Sequence, residues 1–126
     1  MKQSQILVVD DDTEVRFLCR CILQSKGYGV VEAADGSDAT DIIIKRNDID
    51  LILADRQMPR RDGLELAKFV RGFHRTTPMI LLTAKPPSAK EQPEFDRYFQ
   101  GFLAKPFSAD DLLRKLEEIL VSKRAA

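Results

Sequence analysis

The sequence predicts an α/β domain built on a parallel sheet with helices on both faces. Three observations carry this. Short apolar runs alternate with amphipathic stretches five times in order, the pattern of consecutive βα units. The runs lack the apolar–polar alternation of a strand with one wet face, as strands buried on both sides should. The 126 residues contain no linker, internal repeat or low-complexity tract, so residues 1–126 read as one domain with a modest core.

The first strand is predicted at about 6–9, Ile6-Leu7-Val8-Val9. From Thr13 to Ser25, the residues Val15, Leu18, Cys19, Ile22 and Leu23 recur at helical spacing. Asp10 or Asp12 could cap that helix, Asp12 being the better placed, and Gly27 is a C-terminal stop. Tyr28 to Ala33 reads as the second strand. Asp35-Gly36 is a turn, with Ser37 as cap of a helix over about 38–46. The third strand is expected at 51–54. A helix from Leu64 to Gly72 follows the Asp62-Gly63 turn. The fourth strand is expected at 79–82. Pro86, Pro87 and Pro93 make 85–100 the least regular stretch, a loop and then a short helix. A start at Ser88 would put Pro93 inside that helix; a start near Gln92 would put it acceptably in the first turn. The fifth strand is expected at 102–104. Ser108 caps a final helix with Asp110 and Asp111 in its first turn and an apolar stripe from Leu112 to Leu120. Val121 to Ala126 is expected to fray.

Bulk properties exclude several function classes. Twenty basic and twenty acidic residues cancel, whereas duplex binding needs a basic excess, so no direct nucleic-acid contact is expected. No apolar stretch nears the ~20 residues of a membrane span, and no signal peptide is expected before the first strand. Cys19 and Cys21 point to different faces of a helix and read as reduced thiols, so a cytoplasmic setting is expected. No second cysteine pair supports zinc. His74, beside Arg75-Thr76-Thr77-Pro78, reads as a solvated loop residue.

The ends of the strands carry the chemistry. Asp10-Asp11-Asp12 follows the first run, Asp55 the third, Thr83-Ala84 the fourth and Lys105-Pro106 the fifth. In open α/β sheets the carboxyl ends of strands face the ligand crevice. Carboxylates gathered there repel unless a cation neutralises them, and Mg²⁺ suits oxygen ligands while keeping waters. A phosphoryl group on Asp55 would spread charge over three oxygens. Lys105 could pair with one, the Thr83 hydroxyl could donate to another, and backbone N–H groups near Ala84 and Arg56 could add donors. Asp55 is thus a candidate nucleophile.

Taken in order, these motifs resemble the receiver domain of bacterial two-component response regulators, over about residues 5–122. Val8-Val9-Asp10-Asp11-Asp12 is similar to the family's acidic pair. Leu53-Ala54-Asp55, with Met58-Pro59 and Asp62-Gly63, resembles its phosphoacceptor motif. Leu82-Thr83-Ala84 and Leu103-Ala104-Lys105-Pro106-Phe107 resemble the other two. The resemblance implies a flavodoxin-like (βα)5 sandwich with sheet order 2-1-3-4-5, an order for which a family member is a standard example, and a cis Lys105-Pro106 bond. It implies that Asp55 accepts a phosphoryl group from a histidine kinase or histidine phosphotransfer protein. Asp11 and Asp55 would ligate Mg²⁺ (Mn²⁺ being a substitute), Asp10 would act through water, and the Gln57 carbonyl would complete the protein ligands. Thr83 and Lys105 would hold the phosphoryl group, and Phe102 would be the aromatic switch. The domain would signal rather than turn over a substrate, catalysing only its own phosphorylation and dephosphorylation.

Three departures stand out. Arg56 follows the phosphoacceptor where an apolar residue is more usual. Gln57 and Lys85 occupy the positions that tune acyl-phosphate lifetime. Arg97-Tyr98-Phe99-Gln100 replaces a small Ala-Gly-rich segment. The aromatics Phe95, Tyr98, Phe99, Phe102 and Phe107 crowd one stretch; two or three of them are expected to be core, but a half-buried sheet edge is not expected to hide all five. Residues 88–107 and the final helix are therefore the expected partner face for a downstream output protein, and a phosphorylation-dependent dimer is a further arrangement to test. The rival readings are weaker. An aspartate-nucleophile phosphohydrolase needs Thr or Val where Glu14 stands, and room for a substrate cap. A flavin binder would meet an acidic loop after the first strand. An interaction domain that retains the site without using it would show no phosphorylation-linked change.

Overall fold

The computed structural model describes residues 3–73 and 76–125; His74 lies outside them. Five strands and five helices alternate: β1 Gln5–Val9, α1 Thr13–Ser25, β2 Gly29–Ala33, α2 Gly36–Lys45, β3 Leu51–Asp55, α3 Gly63–Phe73, β4 Met79–Thr83, α4 Gln92–Tyr98, β5 Gly101–Ala104 and α5 Ala109–Ala125. All strands are parallel, in the order β2-β1-β3-β4-β5. Register aligns Val9 with Ala54, Asp55 with Leu82, and Thr83 with Ala104. The chemistry-bearing residues therefore emerge along one edge of the sheet.

The central strands β1, β3 and β4 are apolar on both faces, and this fixes the layers. Leu7, Val9, Ile52, Ala54, Met79 and Leu81 face one way, onto Ala39 and Ile43 of α2, Leu66 and Val70 of α3, and Phe95 beside Phe99 at α4. Ile6, Val8, Leu51, Leu53, Ile80 and Leu82 face the other way, onto Cys19 and Leu23 of α1 and Leu112, Leu116 and Leu120 of α5. Burial pushes the Cys19 thiol up to about 12, with a lesser contribution from Asp10, so it stays a protonated core residue.

Local chemistry starts the helices. Asp12 caps α1, its carboxylate accepting from Glu14 N at 2.9 Å. At α5, Ser108 Oγ accepts from Asp111 N at 3.0 Å. At α2 the cap is Asp35, not Ser37. Asp35 is extended, and its Oδ1 accepts from Asp38 N at 2.8 Å, which starts the helix at Gly36. Asp62 also does more than turn the chain. Its carboxylate accepts from Glu65 N at 2.8 Å while Glu65 accepts back from Asp62 N at 3.3 Å, a capping box that begins α3 at Gly63. Helix α4 takes the later of its two possible starts, with Pro93 in the first turn. Helix α5 continues to Ala125, past the expected fraying at Val121.

The aromatic stretch divides as expected, two of the five rings being core and none of the others fully hidden. Phe95 and Phe99 are buried, and Tyr98 and Phe102 are half-buried against the same core. Phe107 is half-buried on the other face. Three long-range hydrogen bonds hold the end of α4 and the residues after it. Arg71 donates to the Tyr98 carbonyl at 2.7 Å and to Gln100 Oε1 at 2.9 Å. Gln100 Oε1 also accepts from Met79 N at 2.8 Å. The Arg97–Gln100 departure is thus stitched to α3 and β4. The large apolar side chains exposed among the described residues lie elsewhere: Phe17, Leu18, Ile44, Phe73 and Val121.

Candidate functional site

Parallel strands and short exits bring the predicted residues into one pocket. Carboxylate oxygens of Asp10, Asp11 and Asp55 all lie within 4.8 Å of one another. Asp10 is fully buried, Asp55 half-buried and Asp11 exposed. Asp10 is held from two sides: its Oδ1 accepts from Asp12 N at 2.9 Å, and its carbonyl accepts from Arg16 at 2.6 Å. Lys105 reaches across from the end of β5. Its Nζ donates to Asp10 Oδ2 at 2.7 Å and lies 3.4 Å from Asp55 Oδ1. The Lys105-Pro106 bond is cis, as the resemblance implied.

Three carboxylates face one ammonium here, so the pocket keeps a surplus of negative charge. Burial, and then the charge of Asp10, raise the Asp55 pKa above the ordinary carboxylate value, against the pull of Lys105. Burial works to lower the Lys105 pKa, but hydrogen bonding and charge from Asp10, with Asp55 adding, raise it on balance. An all-oxygen cluster with excess negative charge, open on the Asp11 side, fits a hard divalent cation that keeps some of its waters. The donor set therefore suits Mg²⁺ better than a soft metal.

Asp55, Arg56, Gln57, Thr83, Ala84, Lys85, Glu91 and Lys105 line a pocket of about 330 Å³. Thr83 is buried, but its hydroxyl is turned onto its own loop. Oγ1 donates to the Lys85 carbonyl at 2.8 Å and accepts from Lys85 N at 2.9 Å. Ala84 and Gln57 are exposed at the rim. Phe102 is half-buried, its ring centroid 6.5 Å from that of Phe99. The offered backbone donor at Arg56 is engaged: its N–H bonds to the Leu82 carbonyl at 3.1 Å, continuing the β3–β4 ladder. The Arg56 side chain instead reaches the Lys85 carbonyl at 3.0 Å and Glu91 at 2.5 Å. The sequence reading missed Glu91, which lies 35 residues away.

Two contacts position the loop after Asp55. Arg60, the only non-glycine at positive φ among the described residues (68°), ion-pairs with Asp35. Asp38 N and the Arg60 side chain hold the Asp35 carboxyl below the usual range. Gly63 packs on the Asp55 backbone so closely that a Cβ would run into the Asp55 carbonyl oxygen. Gly63→Ala is expected to cost about 1–3 kcal/mol by overpacking, read as a lower denaturant midpoint. An unchanged midpoint would show that the loop can give way.

Comparison with known proteins identifies the family and the fold. The profile described as the response regulator receiver domain matches residues 6–117. Transcriptional regulatory protein ResD of Bacillus subtilis is 35% identical over 118 residues, which are 94% of this chain and 48% of that protein. The chain spans about half the length of the curated relatives it matches. Chemotaxis protein CheY4 of Vibrio cholerae superposes with a TM-score of 0.86 at 33% identity, over 94% of this chain and 99% of that one. The receiver domain of sensor histidine kinase PA1611 from Pseudomonas aeruginosa PAO1 gives 0.84 at 30% identity, over 94% and 98%. That crystal structure has a magnesium ion coordinated in its active-site cleft.

Proposed function

The chain belongs to the response regulator receiver domain family, and from that premise we propose that it is a phosphorelay receiver, one domain over residues 1–126, with Asp55 as phosphoacceptor. The donor is a phosphohistidine on a histidine kinase or phosphotransfer protein. A carboxylate oxygen of Asp55 attacks phosphorus, the P–N bond breaks, and the imidazole leaves with its electron pair. Asp10, Asp11 and Asp55, with the Gln57 carbonyl, would hold Mg²⁺, which offsets the charge gathered on the phosphoryl oxygens. Lys105 moves from bridging Asp10 and Asp55 to pairing with a phosphoryl oxygen. Thr83 gives up the Lys85 carbonyl to donate to another. The single observation that supports this reading most is the approach of Asp10, Asp11 and Asp55 to within 4.8 Å of one another beneath one lysine. Structural packing has no use for such a cluster.

The output is a change of surface. When Thr83 turns inward, Phe102 follows into the space beside it, and residues 88–107 with α5 are reshaped for a downstream partner. Because the five aromatics are largely covered, the face works by rearrangement rather than as a standing apolar patch. Gln57 and Lys85 tune the acyl-phosphate lifetime. Amide exchange with and without a beryllofluoride-type mimic and Mg²⁺ is expected to change across 88–107 and α5. Changes confined to the Asp55 loop would remove this face as the output surface.

A further inference from the structure

The Lys85 carbonyl accepts from two groups at once, Thr83 Oγ1 at 2.8 Å and Arg56 Nη1 at 3.0 Å. The same guanidinium pairs with Glu91 through Nη2 at 2.5 Å and lies 4.8 Å above the ring of Phe95. Glu91 is the N-cap residue of α4. Its carboxylate accepts from Ser88 N at 3.0 Å, and its own N–H donates to Ser88 Oγ at 3.3 Å. Phe95 is anchored in the core. One side chain, next in sequence to Asp55, therefore ties the end of β3 to the β4–α4 loop, to the start of α4 and to its buried ring. The Arg56 side chain is 18% exposed and that of Glu91 43%, so the pair is sheltered at its guanidinium end and open to solvent at its carboxylate end. A guanidinium can engage a carbonyl, a carboxylate and a ring face together because it is planar and multivalent.

We infer that Arg56 is a positioning residue that latches the β4–α4 loop and the start of α4 in the arrangement where Thr83 is turned away from Asp55. The inference rests on the proposed role of Asp55 and adds a regulator of that site. For Thr83 to donate to a phosphoryl group, its bond to the Lys85 carbonyl must break and the loop must follow. Arg56 grips that loop at Lys85 and Glu91 and rests on Phe95. A latch of this kind lowers the population of the switched arrangement, and with it the apparent affinity for any ligand that selects it.

The test compares binding of beryllofluoride with Mg²⁺, by calorimetry, to the wild type, Arg56→Ala and Glu91→Gln. Losing a cation beside an anion site would by itself weaken binding, so tighter binding by Arg56→Ala has to come from release of the latch. Both variants are expected to bind the mimic about five-fold more tightly, the low end of typical coupling between sites. Combining the two changes should add little, since they open one latch. Amide exchange at 88–92 without the mimic should quicken in both. A wild type that binds while Arg56→Ala binds equally or more weakly would overturn the latch alone, as would unchanged exchange in both variants. A wild type that does not bind the mimic would overturn the reading of Asp55 and the latch with it.

Discussion

Asp11→Ala is expected to reduce Mg²⁺ affinity by at least the ~10–100-fold that loss of even an outer partner of a metal ligand produces. Asp11 is the exposed member of the three-carboxylate cluster, so its removal opens no core cavity. Mg²⁺ affinity of the wild type should also fall with acid, because the ligands must be deprotonated to bind. Burial and Asp10 raise the Asp55 pKa, so the fall begins above the pH at which an ordinary carboxylate titrates. Titration of Mg²⁺ into both proteins at several pH values checks this. Equal affinities would show that the cluster does not hold the ion.

Asp55→Asn is expected to stabilise the metal-free protein at neutral pH. An acid whose pKa is raised by folding destabilises the native state wherever it is ionised. In the folded protein that cost is absent below the unfolded value of about 3.9, grows as pH rises toward the folded value, and is complete above it. Asparagine carries no such cost. The loss of the 3.4 Å contact between Lys105 and Asp55 works the other way, but Lys105 keeps its bond to Asp10. Melting curves of the two proteins without metal should therefore coincide near pH 3 and separate upward, the variant being the more stable. Equal curves at pH 7 would mean that ionising Asp55 in the pocket carries no net cost.

How much the sequence disclosed follows from distance along the chain. The strands were readable because runs such as Leu51-Ile52-Leu53-Ala54 need no partner to declare themselves. The caps Asp12 and Ser108 were readable because each bonds within three residues. Asp35 and Ser37 are both good caps, and only the extended backbone at Asp35 decides between them. The site residues were readable because each ends a strand, and parallel pairing brings all such ends to one edge. Arg56–Glu91 and Arg71–Gln100 were not readable, since 35 and 29 residues separate the partners and charged side chains advertise no address.

The most direct test is phosphorylation itself. The wild type, incubated with a small-molecule phosphodonor and Mg²⁺, is expected to gain a single base-labile, hydroxylamine-sensitive phosphoryl group that intact-mass and peptide analysis place on Asp55. Asp55→Asn should gain none under the same conditions, and omission of Mg²⁺ should suppress the wild-type adduct. Full labelling of Asp55→Asn, or a wild-type adduct on another residue, would contradict the account.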